Sequence, residues 1–336
     1  MDVNSREISE LLHAHENVYI LTHILPDGDA IGSALAWGTA LRHHGKKVRI
    51  FCPGVVPRKY AFLPGVVAIE NQFPANLPLG LVFVLDCGDL ERLDYMKERV
   101  QSGLTIVNID HHATNNYFGD YNIVDKSAAA TGEMIYQLIQ ENNLLLSKEI
   151  SLCLYVAIAS DTGSFKYANT TPRVLKIASL LLENGVDPSL VSQKIFDEYP
   201  LSTVFLLRDT LNTLQLDQSL RIAWMSLHED LLESYGAKEE ELEGFVNYGK
   251  NINGVEVGIF FYHTRNGETK VGFRSKAVVD VGAVAASFGG GGHPRAAGCT
   301  IGGWENNVAM DKVIQAVREA LLETETLNPE KCDLRR

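Results

Sequence analysis

Four stretches of this chain end in groups that bind cations. The apolar run VYIL (Val18–Leu21) leads directly into HILPDGDAIGS, which holds His23, Asp27 and Asp29. Leu81–Leu85 is followed at once by Asp86, and Thr105–Ile109 by Asp110, His111 and His112. A fourth apolar run, YVAIASDTGSF, carries Asp161. Carboxylates this close repel one another, and burial makes their charge costlier still. No lysine or arginine stands at these run ends, so the sequence predicts a cation supplied from outside it. Taken singly, an aspartate after a strand ordinarily serves as a helix N-cap or turn residue, and a lone histidine as a structural group. Four segments delivering the same chemistry point instead to a metal site. Asp and His suit hard to borderline divalent ions, Mn²⁺ above all, with Mg²⁺ as the alternative. Five aspartates with two or three histidines exceed the needs of one ion and fit two ions sharing a bridging carboxylate. Such a pair clamps the attacking and leaving oxygens of a phosphoryl displacement. Between the first two aspartates, Gly28 is expected to let the backbone turn tightly, with Gly32 and Ser33 small where the next helix packs on the sheet.

The elements that must position these groups alternate. VYIL, KVRIFC, LGLVFVLD and LTIVNID read as strands. AIGSALAWGTALRHHG, LERLDYMKERVQSG, AATGEMIYQLIQENN and SKEISLCLYVAIASD read as helices, and TPRVLKIASLLLENG as another, with proline inside its start and glycine past its end. Alternation with helices of this length implies βαβ units and a parallel sheet. In open α/β sheets ligands bind beyond the carboxyl ends of the strands, which is where the aspartates fall. Residues 188–217 read as a helical connector, amphipathic and without glycine. Beyond it the pattern changes: LRIAWMSL, VEVGIFFYHT and TKVGFRSK are strand-like, RNGE is an Asn-Gly hairpin turn, and Asp280 is placed to cap a helix over DVGAVAASF. GGGGHPRAAG, the short strand CTI and a last helix around 306–322 follow. The fold expected is α/β, with a parallel-sheet domain over 1–187, the connector, and a smaller α/β domain over 218–325. The final dozen residues are expected to fray.

Composition bounds the partners. A formal net charge of −12 over 336 residues, with no basic stripe, argues against a grip on long duplex nucleic acid. The longest apolar run, LCLYVAIA, is far short of the ~20 residues that cross a bilayer. Five cysteines (52, 87, 153, 299 and 332), with no CxxC pair, predict neither a disulfide framework nor a thiolate zinc site. With a polar, mildly acidic N-terminus unlike a signal peptide, this predicts a cytoplasmic protein.

HILPDGDAIGS, LDCGD, NIDHH and ASDTGSF, in that order, resemble the four motifs of the DHH phosphoesterase superfamily. GFRSK with FGGGGHPRAAG is similar to the signature of the DHH-associated C-terminal domain. The resemblance spans roughly residues 15–325, and the length and two-part plan are similar to the nanoRNase type, which cleaves short oligonucleotides and also dephosphorylates 3′-phosphoadenosine-5′-phosphate (pAp). RecJ-like exonucleases and the membrane-bound cyclic-di-AMP phosphodiesterases carry further modules, and family II pyrophosphatases have a different C-terminal domain.

Carried over by position, the resemblance implies one Mn²⁺ held by His23, Asp27 and Asp86. It implies a second held by Asp29, Asp86, His111 and Asp161. Asp86 would bridge them, Asp110 would orient the pair, and His112 would face the substrate phosphate, so that Asp86, Asp110 and His112 form the catalytic set. Leu25 departs from the smaller or polar residue of many relatives, at a position that binds nothing. In the second domain Arg274, Ser275, Gly291, Gly292, His293 and Arg295 are expected to hold the terminal nucleotide, glycine backbone N–H groups meeting its phosphate and arginine holding it bidentately. The implied partners are short single-stranded RNA or DNA, dinucleotides and pAp, not a membrane or long duplex, for a chain expected as a homodimer. Two other readings are a linear or cyclic dinucleotide phosphodiesterase, or an exopolyphosphatase-like activity. A third, outside catalysis, is a nucleotide-binding sensor.

Overall fold

The structure is a computed structural model that describes residues 5–327 apart from 75 and 102; of the final dozen residues expected to fray, 325–327 end the last helix, and 328–336, Cys332 among them, lie outside the described residues. The chain divides into two compact units, Met1–Glu198 and Tyr199–Arg336.

In the first unit α1 (Ser5–Ala14), β1 (Asn17–Leu21), α2 (Gly28–His43), β2 (Lys47–Phe51) and β3 (Ile69–Glu70) build one half of a sheet. The strands β4 (Leu81–Leu85), β5 (Thr105–Asp110) and β6 (Tyr121–Val124) build the other, with α3 (Lys97–Val100) between β4 and β5. Then come α4 (Thr131–Glu141), α5 (Lys148–Asp161), α6 (Pro172–Glu183) and α7 (Pro188–Ser192). The sheet order is β3-β2-β1-β4-β5-β6, and every pairing in it is parallel. The order reverses between β1 and β4, which makes that junction the switch point where such sheets open a crevice. Pairing of Leu21 with Val84, and of Leu85 with Ile109, brings the three strands that precede the acidic groups to a common end.

Side chains alternate across the sheet, as the strand period requires. Val18, Ile20, Phe83, Leu85, Val107 and Ile109 join the core under α2, α4 and α5. Tyr19, Leu21, Val82 and Val84 face Leu93, Met96 and Val100 on the other side.

Two expectations about helices are corrected. LERLDYMKERVQSG is not one helix: 3₁₀ turns over Leu90–Met96 are broken at Asp94 (φ 51°, ψ −134°) before the short α3. The segment after Pro188 is not continuous either. Its helical turns end at Asp197, Glu198 is extended, and α8 (Leu201–Leu211) starts only after Pro200. The residue before a proline is biased away from helical backbone.

The second unit continues with β7 (Gln215–Leu216), β8 (Ile222–His228), α9 (Glu229–Ser234), α10 (Phe245–Lys250), β9 (Val257–His263) and β10 (Thr269–Ser275). It closes with α11 (Val281–Ser287), β11 (Gly291–His293), β12 (Ala296–Ile301) and α12 (Asn306–Leu327). Its sheet runs β11-β12-β10-β9-β8-β7, parallel only at β8–β9. One face packs under α11 and α12 through Trp224, Ile259 and Phe273; the other packs through Met225, Phe260 and Tyr262. Asp280 caps α11 by accepting from the Ala283 N–H at 3.0 Å.

Candidate metal centre

At the switch point the side chains after β1, β4 and β5 and at the end of α5 converge. His23, Asp27 and Asp86 form one group of mutually close ligand atoms, and Asp29, His111 and Asp161 a second; Asp86 also groups with His111 and His112. Asp86 divides its two oxygens between them. Oδ2 lies 3.6 Å from His23 Nε2, while Oδ1 lies 3.6 Å from His111 Nε2 and 3.7 Å from His112 Nδ1. Its backbone is left-handed, φ 57°, a conformation costing of order 1 kcal/mol for a residue with a Cβ. Strain of this kind at a crowded polar site is one mark of function.

Asp29 is fully buried and is held by the first turn of α4. The Thr131 N–H donates to its Oδ2 at 2.5 Å and the Gly132 N–H to its Oδ1 at 2.8 Å, while Ser33 Oγ donates to Oδ1 at 3.0 Å. The Thr131 hydroxyl reaches across to Asp86 Oδ1 at 3.1 Å. Burial pushes the Asp29 carboxyl well above the usual carboxylate range, and the Asp86 and Asp161 charges push the same way. Burial opposes charge on Asp86 too, but His23, His111 and His112 hold its carboxyl well below that range. Against burial, the Asp161, Asp29 and Asp86 carboxylates push the His111 imidazole up to about 11.

Asp27 is an N-cap after all: its Oδ1 accepts from the Asp29 and Ala30 N–H groups at 3.1 and 3.0 Å. Its other oxygen stays available to a cation. Gly28 has ordinary backbone, so a tight turn is not why it is glycine. A Cβ there would lie 1.9 Å from Ser160 Oγ, where α2 crosses α5. Gly32 likewise meets α5 rather than the sheet, its absent Cβ 2.5 Å from the Cys153 carbonyl oxygen.

The donor set fits divalent cations. It offers carboxylate oxygens and imidazole nitrogens at the borderline hardness of Mn²⁺ or Zn²⁺. His111 Nε2 is buried without a hydrogen-bond partner among the described residues. It stands 3.1 Å from Asp161 Oδ2 and 3.7 Å from Asp29 Oδ2, while Nδ1 faces the Ala128 carbonyl at 3.3 Å. A carbonyl behind Nδ1 fixes the ring with Nε2 turned to an ion. Asp110 spends both oxygens on protein donors, His112 Nδ1 at 2.6 Å and Asn115 Nδ2 at 2.6 Å.

One expectation fails at this site. Arg92, in the turns after β4, brings Nη2 to 3.0 Å from His23 Nδ1, so the cluster does have a nearby arginine. The β4 run gave no hint of it, because the chain doubles back before delivering it. Sequence reading also passed over Thr131, Gly132 and Asn115; only the helix start within AATGE could have signalled the first two.

In the second unit Ser275 and Arg295 come together around Val279. Ser275 Oγ donates to the Val279 carbonyl at 2.7 Å, and Arg295 Nη1 donates to the same carbonyl at 2.6 Å. Arg274 Nη1 lies on the Phe273 carbonyl at 2.9 Å. Half of the glycine run is strand. Gly291, Gly292 and His293 form β11, exposed and paired with Gly298, Ala297 and Ala296. Packing explains two of the glycines: a Cβ on Gly290 would lie 2.2 Å from the Gly298 carbonyl oxygen, and one on Gly292, at φ 143°, 2.5 Å from that of Ala296.

The family models match in the same two places: the DHH family N-terminal domain over residues 17–158 and the DHHA1 domain over 222–323. The Thermus thermophilus protein named bifunctional oligoribonuclease and PAP phosphatase NrnA is 34% identical, over 94% of both chains. The chain belongs to the DHH family, in its NrnA branch. The Bacillus subtilis NrnA is 30% identical over 89% of this chain and 94% of its own. A solved structure, that of an exopolyphosphatase-related protein from Bacteroides fragilis, superposes with a TM-score of 0.86 at 25% identity, covering 97% of each chain. His23, Asp27, Asp29, Asp86, His111 and His112 thus fall inside the matched DHH segment, and Asp161 lies just past its end.

Proposed function

We propose that this DHH-family phosphoesterase hydrolyses short oligonucleotides to 5′-mononucleotides and pAp to AMP, with two divalent ions, Mn²⁺ or in its place Mg²⁺. In both substrates the bond that breaks is P–O3′; water supplies the new oxygen on phosphorus and the proton on O3′. His23, Asp27 and Asp86 would hold one ion, and Asp29, Asp86, His111 and Asp161 the other. Bound there, the ions supply charge neutralisation and Lewis-acid polarisation of the phosphoryl oxygens.

The protein's own groups do the positioning. Thr131 and Gly132 fix the Asp29 carboxylate, and Thr131 steadies Asp86. Asp110 takes the Nδ1 proton of His112 in a hydrogen bond and so turns Nε2 toward the phosphate. Arg274, Ser275, Gly291, Gly292, His293 and Arg295 would receive the terminal nucleotide, and the net charge of −12 favours substrates of a few nucleotides over long ones. Among the described residues no helix is long and apolar enough to cross a membrane, and four cysteines are buried and unpaired; both accord with a cytoplasmic enzyme.

The observation that carries this reading is the division of the Asp86 oxygens between two ligand groups at the switch point. The test is incubation with pAp, a dinucleotide, a 24-mer and polyphosphate, with and without Mn²⁺. Metal-dependent release of mononucleotide and AMP is expected, and fastest loss of the 24-mer would refute it. Polyphosphate is included because the Bacteroides fragilis structure is described as exopolyphosphatase-related.

A further inference from the structure

The two histidines of the ligand groups differ in what stands behind them. His111 Nδ1 faces a carbonyl, an acceptor, at 3.3 Å. His23 Nδ1 faces Arg92 Nη2 at 3.0 Å, and a guanidinium is a permanent cation with donors only. In that contact Nδ1 must accept. A neutral ring then carries its proton on Nε2, the nitrogen turned to Asp86 Oδ2 at 3.6 Å. A nitrogen that bears a proton has no lone pair for a metal, and ligating histidines present an N–H to an acceptor behind them. The Arg92 contact and a neutral, metal-bound His23 therefore exclude each other, and two cations beside one buried ring repel as well. Arg92 is also tied to this place, since its carbonyl accepts from the Ile24 N–H at 2.9 Å.

We infer that Arg92 competes with the cation of the His23–Asp27–Asp86 group for His23, and that metal loading turns its guanidinium off Nδ1 toward the substrate phosphate. Arginine holds phosphate bidentately, so the displaced group remains useful at the same spot. Loading of this ion and phosphate binding are then coupled through one side chain. The inference rests on His23 being a ligand, as proposed above.

The experiment is Mn²⁺ binding to the full chain, followed by the electron paramagnetic resonance signal of free Mn²⁺, in wild type, Arg92→Gln, Arg92→Lys and His23→Ala. Glutamine offers a carbonyl that can accept from Nδ1–H, whereas lysine again offers only donors. Arg92→Gln is expected to tighten one of two sites by about tenfold, with Arg92→Lys close to wild type. At saturating Mn²⁺, kcat/KM for pAp should fall in Arg92→Gln although its metal binds more tightly. Equal or weaker Mn²⁺ binding in Arg92→Gln, with His23→Ala losing one ion, overturns the competition alone. If His23→Ala keeps both ions, the ligand assignment itself fails. A merely structural role for Arg92 would weaken binding in both substitutions and would not separate glutamine from lysine.

Discussion

Gly28 and Ser160 occupy space that only one side chain can fill: a Cβ on Gly28 would lie 1.9 Å from Ser160 Oγ and 2.7 Å from Ser160 Cβ. Alanine in a helix ordinarily stabilises by up to about 1 kcal/mol relative to glycine. Here the overlap wins. Gly28→Ala is expected to destabilise by about 1–3 kcal/mol and to weaken metal binding, because Asp27 and Asp29 flank the displaced residue. Urea denaturation of Gly28→Ala, alone and with Ser160→Gly, checks this; the second change should restore part of both losses.

Asp86→Asn tests the bridge. Asparagine tolerates left-handed backbone at least as well as aspartate, so the φ of 57° should be kept and the protein should fold. Turnover of pAp is expected to fall by several orders of magnitude, with bound Mn²⁺ reduced. Surviving activity would remove Asp86 from its proposed role.

Thr131→Val keeps the shape and the backbone N–H that serves Asp29 but deletes the hydroxyl 3.1 Å from Asp86 Oδ1. A partner standing behind a ligand is worth about 10–100-fold in metal affinity or activity. The Mn²⁺ concentration for half-maximal activity should rise within that range, with the melting temperature little changed.

Glu133 is fully buried, and its carboxylate joins the Ala129 N–H at 2.7 Å to the Arg173 guanidinium. Arg173 also reaches Asp125 at 3.3 Å, so this network holds the loop that leads to Thr131. Arg173→Met leaves a buried carboxylate without its cation. With Arg173 partly exposed, the expected loss is on the order of 2 kcal/mol, below the 3–5 of a fully buried pair. Arg173→Met combined with Glu133→Gln should be more stable than Arg173→Met alone, as thermal unfolding would reveal.

In the second unit His263 is buried, its Nδ1 3.0 Å from Thr269 Oγ1 and its ring 4.7 Å from that of His228. Burial, helped by the His228 charge, pushes its pKa down to about 4. The unfolded chain then takes up a proton near the ordinary histidine value while the folded one does not, so stability present above about 6.5 is lost as pH falls toward 4. The loss is at most about 3 kcal/mol. His263→Gln should flatten that part of the profile relative to wild type in urea titrations between pH 7 and 4.

The order of elements, the parallel sheet and the acidic rim were legible in the sequence, because strand and helix periods are local and aspartates directly after apolar runs keep their place whatever the packing. The residues that the motifs single out converge for the same reason: three of the runs are strands with a shared end. What sequence could not supply came from chain segments meeting at a distance. That Asp29 is held by the helix start at Thr131, that Gly28 yields to Ser160, and that Arg92 lies behind His23 each depend on a crossing between remote elements. Nor did the glycine run of the second unit show that Gly291 and Gly292 form a strand, since the partner it pairs with, β12, decides that conformation. Local pattern determined where the carboxylates gather; tertiary packing alone decided which donors stand behind each of them.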